Sequence, residues 1–217
     1  MEIKILHREK HFAVVIKPEG MLSENSAGNT PGMVDVLSEQ LGTEVYPVHR
    51  LDREASGVMV YALTKAGAAK LSALVSGDGF EKRYRIVGHG KPEADKGEMK
   101  DLLFKDSKKN KSFVVKRERK GVKKASLEYE TVLSTEYNGN AVSLVKVKLH
   151  TGRTHQIRVQ FSSRNMPVAG DSRYGSSEKT EMCLFSESIG FINPFSGEFC
   201  HFESEPSGGL WDIFVKS

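Results

Sequence analysis

The 217 residues are 38% hydrophobic and 28% charged, with a formal net charge of +4, enough apolar material for a sizeable core without disulfides. The two cysteines, Cys183 and Cys200, are too few and too isolated for a disulfide scaffold or a thiolate metal site, and read as free thiols in a reducing compartment. No run approaches the ~20 apolar residues of a membrane span, and the charged start Met1–His7 does not resemble a signal peptide, so the sequence predicts a cytoplasmic protein.

In chain order, Phe12–Ile16 reads as a short buried strand, closed by the turn signal Lys17-Pro18-Glu19-Gly20. A helix is expected over 31–41, with Thr30 as cap, Pro31 in the first helical position, Gly42 at the exit, and Val34, Leu37 and Leu41 on one face. Residues 58–63 form an apolar strand. Residues 65–76 follow as a helix, with Ala68, Leu71, Leu74 and Val75 facing inward. Tyr84–Val87 begins another strand, ended by Gly88-His89-Gly90. Period-2 alternation marks two more strands, one carrying Leu127, Tyr129, Thr131 and Leu133 on a face and the other Val145, Val147 and Leu149. Asn193-Pro194-Phe195-Ser196-Gly197 predicts a hairpin turn. Strands outnumber helices and no βαβ rhythm persists. The expected class is α+β, a mixed, mainly antiparallel β-sheet with flanking helices, in a single domain over 1–217.

Charge is unevenly distributed. Residues 105–124 hold ten Lys or Arg against two acids, Asp106 and Glu118, so the remainder of the chain is net acidic. A segment of this kind suits a phosphate backbone, although charge runs are more often solvated loops.

Three segments bear on chemistry. His49-Arg50-Leu51-Asp52-Arg53-Glu54-Ala55-Ser56-Gly57 lies between a helix and an apolar strand, where functional loops concentrate. In an extended backbone Arg50 and Asp52 project to one side, and a guanidinium favours the charged form of a neighbouring carboxylate, which suits a nucleophile. Taken alone, the pair also reads as an ordinary surface ion pair.

The second segment, Leu149–Phe161, follows a strand. Gly152 permits a turn, Thr154 is expected to cap a helix from His155, and Ile157 and Phe161 share its core face. Arg153 and Arg158 are then left for solvent or an anionic ligand. His150 and His155 have zinc-pair spacing, but further ligands are missing. In the third segment, Glu81–Ile86, Arg83 and Arg85 alternate with Tyr84 and Ile86, so Tyr84 reads either as a core residue or as a stacking platform for an unstacked base.

Taken in order, His49-Arg50-Leu51-Asp52, Ser56-Gly57, Lys82-x-Tyr84, Gly152-Arg153-Thr154-His155-Gln156-Ile157-Arg158 and Pro167-Val168-Ala169-Gly170-Asp171-x-x-Tyr174-Gly175 resemble the RluA-type family of RNA pseudouridine synthases. The resemblance implies that Asp52 is the catalytic aspartate and that Arg50 helps displace and hold the target nucleotide. It implies that Tyr84 packs on the target base, with its hydroxyl a candidate relay for the C5 proton, and that Arg158 pairs with the aspartate. It further implies the family's mixed, mostly antiparallel sheet, no metal or organic cofactor, and an RNA partner, ribosomal or transfer. The chain is expected to act as a monomer, without a separate N-terminal RNA-binding domain, so that the 105–124 segment supplies RNA grip. Attack at C1′ and assisted loss of the C2′ proton are both compatible with these residues.

Ala55 stands where the family often has threonine. Leu184-Phe185-Ser186 and Asn193-Pro194 also depart from its C-terminal pattern. An RNA-binding protein that had lost catalysis would lack Asp52, and a glycoside hydrolase would want a second well-separated carboxylate, for which Glu54 is too close.

Overall fold

The computed structural model describes residues 1–25, 30–77 and 79–214. The chain forms two compact units: Met1–Lys82 with Phe185–Pro206, and Arg83–Leu184 with Ser207–Ser217.

The first unit opens with the antiparallel pair β1 (Ile5–Arg8) and β2 (Phe12–Lys17). Helix α1 (Met33–Leu41) buries Met33, Val34, Leu37 and Leu41, as the apolar spacing predicts. Its start differs from expectation. Gly32, not Thr30, is the N-cap, and the Asp35 carboxylate accepts the Gly32 N–H at 2.8 Å. A capping residue without a side chain is compensated here from the first helical turn. Gly42 ends the helix in the left-handed conformation.

Next come β3 (Tyr46–Pro47), β4 (Ser56–Ala62) and α2 (Lys65–Ser76), whose bounds match the sequence reading. The Thr64 side chain caps α2 by accepting the Gly67 N–H. Leu71 is buried, and Ala68, Leu74 and Val75 pack on the same core, with Phe12, Val14, Val58, Val60, Phe80, Ile189 and Phe191. Each large side chain buried this way contributes about 1.5–3 kcal/mol, which is why α2 forms despite a modest apolar stripe.

The chain passes into the second unit within β5 (Phe80–His89). There β6 (Lys96–Asp106), β7 (Lys111–Val115), β8 (Val122–Tyr137) and β9 (Asn140–Leu149) pair antiparallel in the order β5-β9-β8-β6-β7. The alternation read around Leu127 breaks between Thr131 and Leu133, where a bulge shifts the register against β9. Val87, Val142, Leu144, Ala169, Cys183 and Leu210 form one core, and Leu103, Ala125, Val159 and Tyr174 another. Val159 lies on the short helix α3 (Gln156–Ser162).

The chain then returns to the first unit through β10 (Leu184–Ile192) and β11 (Phe199–Glu203), joined by the expected turn at Asn193–Gly197. β10 runs parallel to β4, unlike the antiparallel pairings above, so the sheet is mixed and mainly antiparallel. At the β4–β10 junction Gly57 has φ +116, and a Cβ there would lie 2.4 Å from the Ser186 carbonyl oxygen. Only glycine fits where the two backbones approach so closely. Among the described residues, no helix is long and apolar enough to cross a membrane.

Candidate active site

Residues 48–55 form the loop between β3 and β4, and buried groups fix its backbone on both sides of Asp52. Upstream, the His49 Nε2 accepts the Val60 N–H at 3.1 Å, so the neutral ring carries its proton on Nδ1. Burial, and secondarily the positive charge of Lys82, push the His49 pKa down to about 3. Leu51 is buried. Its N–H donates to the Ser23 Oγ at 3.0 Å, and its carbonyl accepts from the same hydroxyl at 2.9 Å. The Ser23 carbonyl in turn accepts the Tyr61 hydroxyl at 2.8 Å.

Downstream of Asp52 the anchor is Lys17, which has no solvent exposure. Its ammonium donates to the carbonyls of Pro18, Arg53 and Ala55 at 2.9, 3.0 and 2.6 Å, an acceptor for each of its protons. Burial lowers the Lys17 pKa to about 8, and the carboxylates of Asp52, Glu54 and Glu19 oppose that shift. The segment before the loop is tied in as well, since Arg53 Nε donates to the Gly20 carbonyl and the Gly20 N–H to the Arg53 carbonyl, both at 2.8 Å. Within this frame Asp52 is half-buried and Arg50 is exposed. Ala55 is itself buried, and its carbonyl is what Lys17 uses.

The second unit carries Tyr84 and Arg158. Tyr84 lies on β5 opposite Val147 of β9 and is 6% exposed, whereas Arg83 is exposed, as the alternation predicts. Arg158 is not left at the surface. It lies on α3 with 2% exposure, and the Asp171 carboxylate takes its Nε at 2.6 Å and its Nη2 at 2.8 Å. A buried guanidinium requires such a partner, and a two-toothed carboxylate also fixes its plane. The Tyr174 ring centroid is 5.2 Å from the Arg158 Cζ.

The start of α3 also differs from expectation. The N-cap is His155, in the left-handed conformation at φ 53, and not Thr154. The Gln156 side chain organises the turn. Its Oε1 accepts the Thr151 hydroxyl at 2.7 Å and the Arg153 N–H at 3.0 Å. The left-handed backbone of a non-glycine residue costs about 1–2 kcal/mol, so surrounding contacts must hold it. One of these is the hydrogen bond between His155 Nδ1 and the Tyr174 hydroxyl, at 2.9 Å. His150 faces Glu128 at 3.0 Å.

The structure thus places Arg50 and Asp52 on one loop of the first unit, and Tyr84 and Arg158 on separate elements of the second. Sequence reasoning missed Lys17, Ser23, Asp171 and Tyr174 as parts of this machinery. Lys17-Pro18 reads only as a turn, and nothing local marks Lys17 for burial, because its acceptors at Arg53 and Ala55 lie 36 and 38 positions away. Asp171 and Tyr174 stood in the Pro167–Gly175 segment without a role.

The basic segment is the β6–β7 hairpin with the start of β8. Asp106 Oδ1 accepts the N–H groups of Lys108 and Lys109, at 3.0 and 3.1 Å, and leaves Lys105, Lys108 and Lys109 exposed around the turn. Lys111 is engaged internally. It donates to the Arg173 carbonyl and sits 4.8 Å from the Tyr174 ring centroid.

Residues 11–163 match the family model described as RNA pseudouridylate synthase. An uncharacterized RNA pseudouridine synthase of Aquifex aeolicus is 34% identical, over 94% of this chain and 69% of that protein. The ribosomal large subunit pseudouridine synthase D of Zymomonas mobilis is 31% identical over the same shares. The structure of human RNA pseudouridylate synthase domain containing 1 superposes with a TM-score of 0.80, at 20% identity, covering 99% of this chain and 94% of that one, a likeness of fold. The chain belongs to the RluA-type family of RNA pseudouridine synthases, enzymes that isomerise uridine in RNA.

Proposed function

We propose that the protein converts specific uridines of structured ribosomal or transfer RNA to pseudouridine, with Asp52 as nucleophile. The observation that carries this reading is the loop geometry. Lys17 and Ser23 hold the backbone on either side of Asp52, so its carboxylate starts from a fixed main chain. The ribosomal relative supports an RNA substrate of that kind.

A base inside a stack is inaccessible, so the target nucleotide is flipped out before reaction. Arg50, exposed on the same loop, is assigned to displacing and holding it. Asp52 attacks C1′ and the N1–C1′ bond breaks with its electron pair leaving on uracil. The detached uracil turns and C5 bonds to C1′, releasing Asp52. The C5 proton then departs and N1 is protonated. Tyr84 is assigned to packing on the base while it is detached, when an enclosed apolar surface keeps it from escaping. Arg158 is assigned to stabilising charge at the reacting carboxylate.

Asp52→Asn tests the assignment. Folding and RNA binding are expected to persist while pseudouridine formation disappears, measured by mapping pseudouridines in cellular RNA with the variant in place of the native protein. Modification at the native rate by Asp52→Asn would remove Asp52 from the role.

A further inference from the structure

We propose that Asp171 and Tyr174 are positioning residues for Arg158, and that Tyr174 joins the Arg158 guanidinium mechanically to the basic β6–β7 hairpin. The inference rests on the assignment of Arg158 to the reaction made above, and extends it.

Asp171 is preset. It is 2% exposed, and its carbonyl accepts the N–H groups of Tyr174 and Ser176, at 3.1 and 3.0 Å. The preceding Gly170 has φ +79, and a Cβ there would lie 2.3 Å from the Glu181 carbonyl oxygen, so the turn carrying Asp171 packs directly on backbone. The backbone that carries the carboxylate is therefore fixed independently of Arg158, and the two bonds of the carboxylate tie the guanidinium to that backbone.

Tyr174 is the junction. Its buried ring lies 5.2 Å from the Arg158 Cζ and 4.8 Å from the Lys111 ammonium, so two cations from different elements share one aromatic ring. Its hydroxyl accepts the Ser112 N–H at 2.7 Å and bonds His155 Nδ1 at 2.9 Å. Ser112, on β7, is 2% exposed although Phe113 and Val114 beside it are exposed, and its Oγ donates to the Thr154 carbonyl at 2.7 Å. Arg173 closes the contact by donating to the Asn110 carbonyl at 3.2 Å. The hairpin that carries the exposed lysines and the buried Arg158 therefore meet on one short segment: Asp171 and Tyr174 touch Arg158, and Arg173 and Tyr174 touch the hairpin. A phosphate backbone gripped at Lys105, Lys108 and Lys109 bears on the orientation of Arg158 through Tyr174.

The experiment compares Arg158→Lys, Asp171→Asn and Tyr174→Phe on ribosomal and transfer RNA fractions from cells lacking the protein. Single-turnover pseudouridine formation and RNA affinity are measured separately, per folded enzyme. Asp171→Asn and Tyr174→Phe are expected to slow the single-turnover step about tenfold while affinity changes by less than about threefold, since a misaimed group loses rate more than binding. Combining Tyr174→Phe with Lys108→Gln and Lys109→Gln is expected to depart from additivity by about threefold or more. Additive effects overturn the coupling to the hairpin. Full rates in Asp171→Asn and Tyr174→Phe overturn the positioning role. Should Asp171→Asn not fold, Tyr174→Phe decides, because it keeps the ring and removes only the hydroxyl. A full-rate Arg158→Lys, or no modification by the unaltered enzyme, overturns the underlying assignment instead. A slow Arg158→Lys beside two full-rate partners overturns this proposal alone.

Discussion

The Lys17 ammonium donates to the Ala55 carbonyl at 2.6 Å, and a buried cation thereby holds the backbone that carries Asp52. The two residues are 38 positions apart, so the bond links the end of β2 to the far side of the loop.

Lys17→Met keeps the length and apolar stem and removes the donors, leaving the carbonyls of Pro18, Arg53 and Ala55 without them. Each buried carbonyl left unsatisfied costs about 1–3 kcal/mol, offset in part by no longer burying a charge, so a net loss of about 2–4 kcal/mol is expected in urea unfolding. The single-turnover rate is expected to fall with it. A variant as stable as the native protein would show that water replaces the ammonium without cost.

His49 makes stability pH-dependent on the acid side. Its folded pKa, near 3, lies below the 6.5 of an unperturbed histidine, so the unfolded chain binds the extra proton between those values. The stabilisation from the neutral ring is complete above pH 6.5 and is lost as pH falls toward 3, at up to about 1.4 kcal/mol per pH unit. His49→Gln, which keeps an acceptor for the Val60 N–H, is expected to flatten that slope in unfolding titrations between pH 6.5 and 4.

For Tyr84, the phenylalanine variant separates packing from proton transfer. Tyr84→Phe retains the buried ring on β5 and is expected to bind RNA within about threefold of native, while the single-turnover rate falls about a hundredfold or more, the scale of general acid–base help. A full-rate variant would exclude the hydroxyl as an obligatory relay and leave the ring as a packing surface.

Glutamine at Lys105, Lys108 and Lys109 tests the hairpin as the RNA grip. Each lost phosphate contact is expected to lower the slope of log affinity against log salt by about 0.7–0.9. An unchanged slope would return these lysines to the role of a solvated turn. Lys111 is left out because its ammonium is already committed to the Arg173 carbonyl.

Much of the architecture was legible because it is local. The alternation of β9, the apolar spacing of α2 and the Asn193–Gly197 turn are each patterns written by residues a few positions apart. The errors fell at helix starts. At α1 and α3 the cap geometry is set by an Asp35 carboxylate and a left-handed His155, and hydroxyl-based cap rules see neither. The local pattern leaves Arg158 for solvent or an anionic ligand, because an arginine on a short helix has no local reason to be buried. Its reason is Asp171, thirteen residues on.

By itself the sequence determined the family, through motifs whose order and spacing survive without coordinates, and with it the candidate residues Arg50, Asp52, Tyr84 and Arg158. Tertiary structure decided which charges go inside. Burying an ammonium or guanidinium is favourable only where enough acceptors converge on it, and here those acceptors come from distant loops: the 53–55 backbone for Lys17 and the Asp171 turn for Arg158. Lys17 lies 36 and 38 positions from the Arg53 and Ala55 carbonyls, and Arg158 lies 13 from Asp171, beyond the one or two turns over which local patterns act. The frame that holds Asp52 and the bracket that holds Arg158 therefore became visible only once the chain was folded.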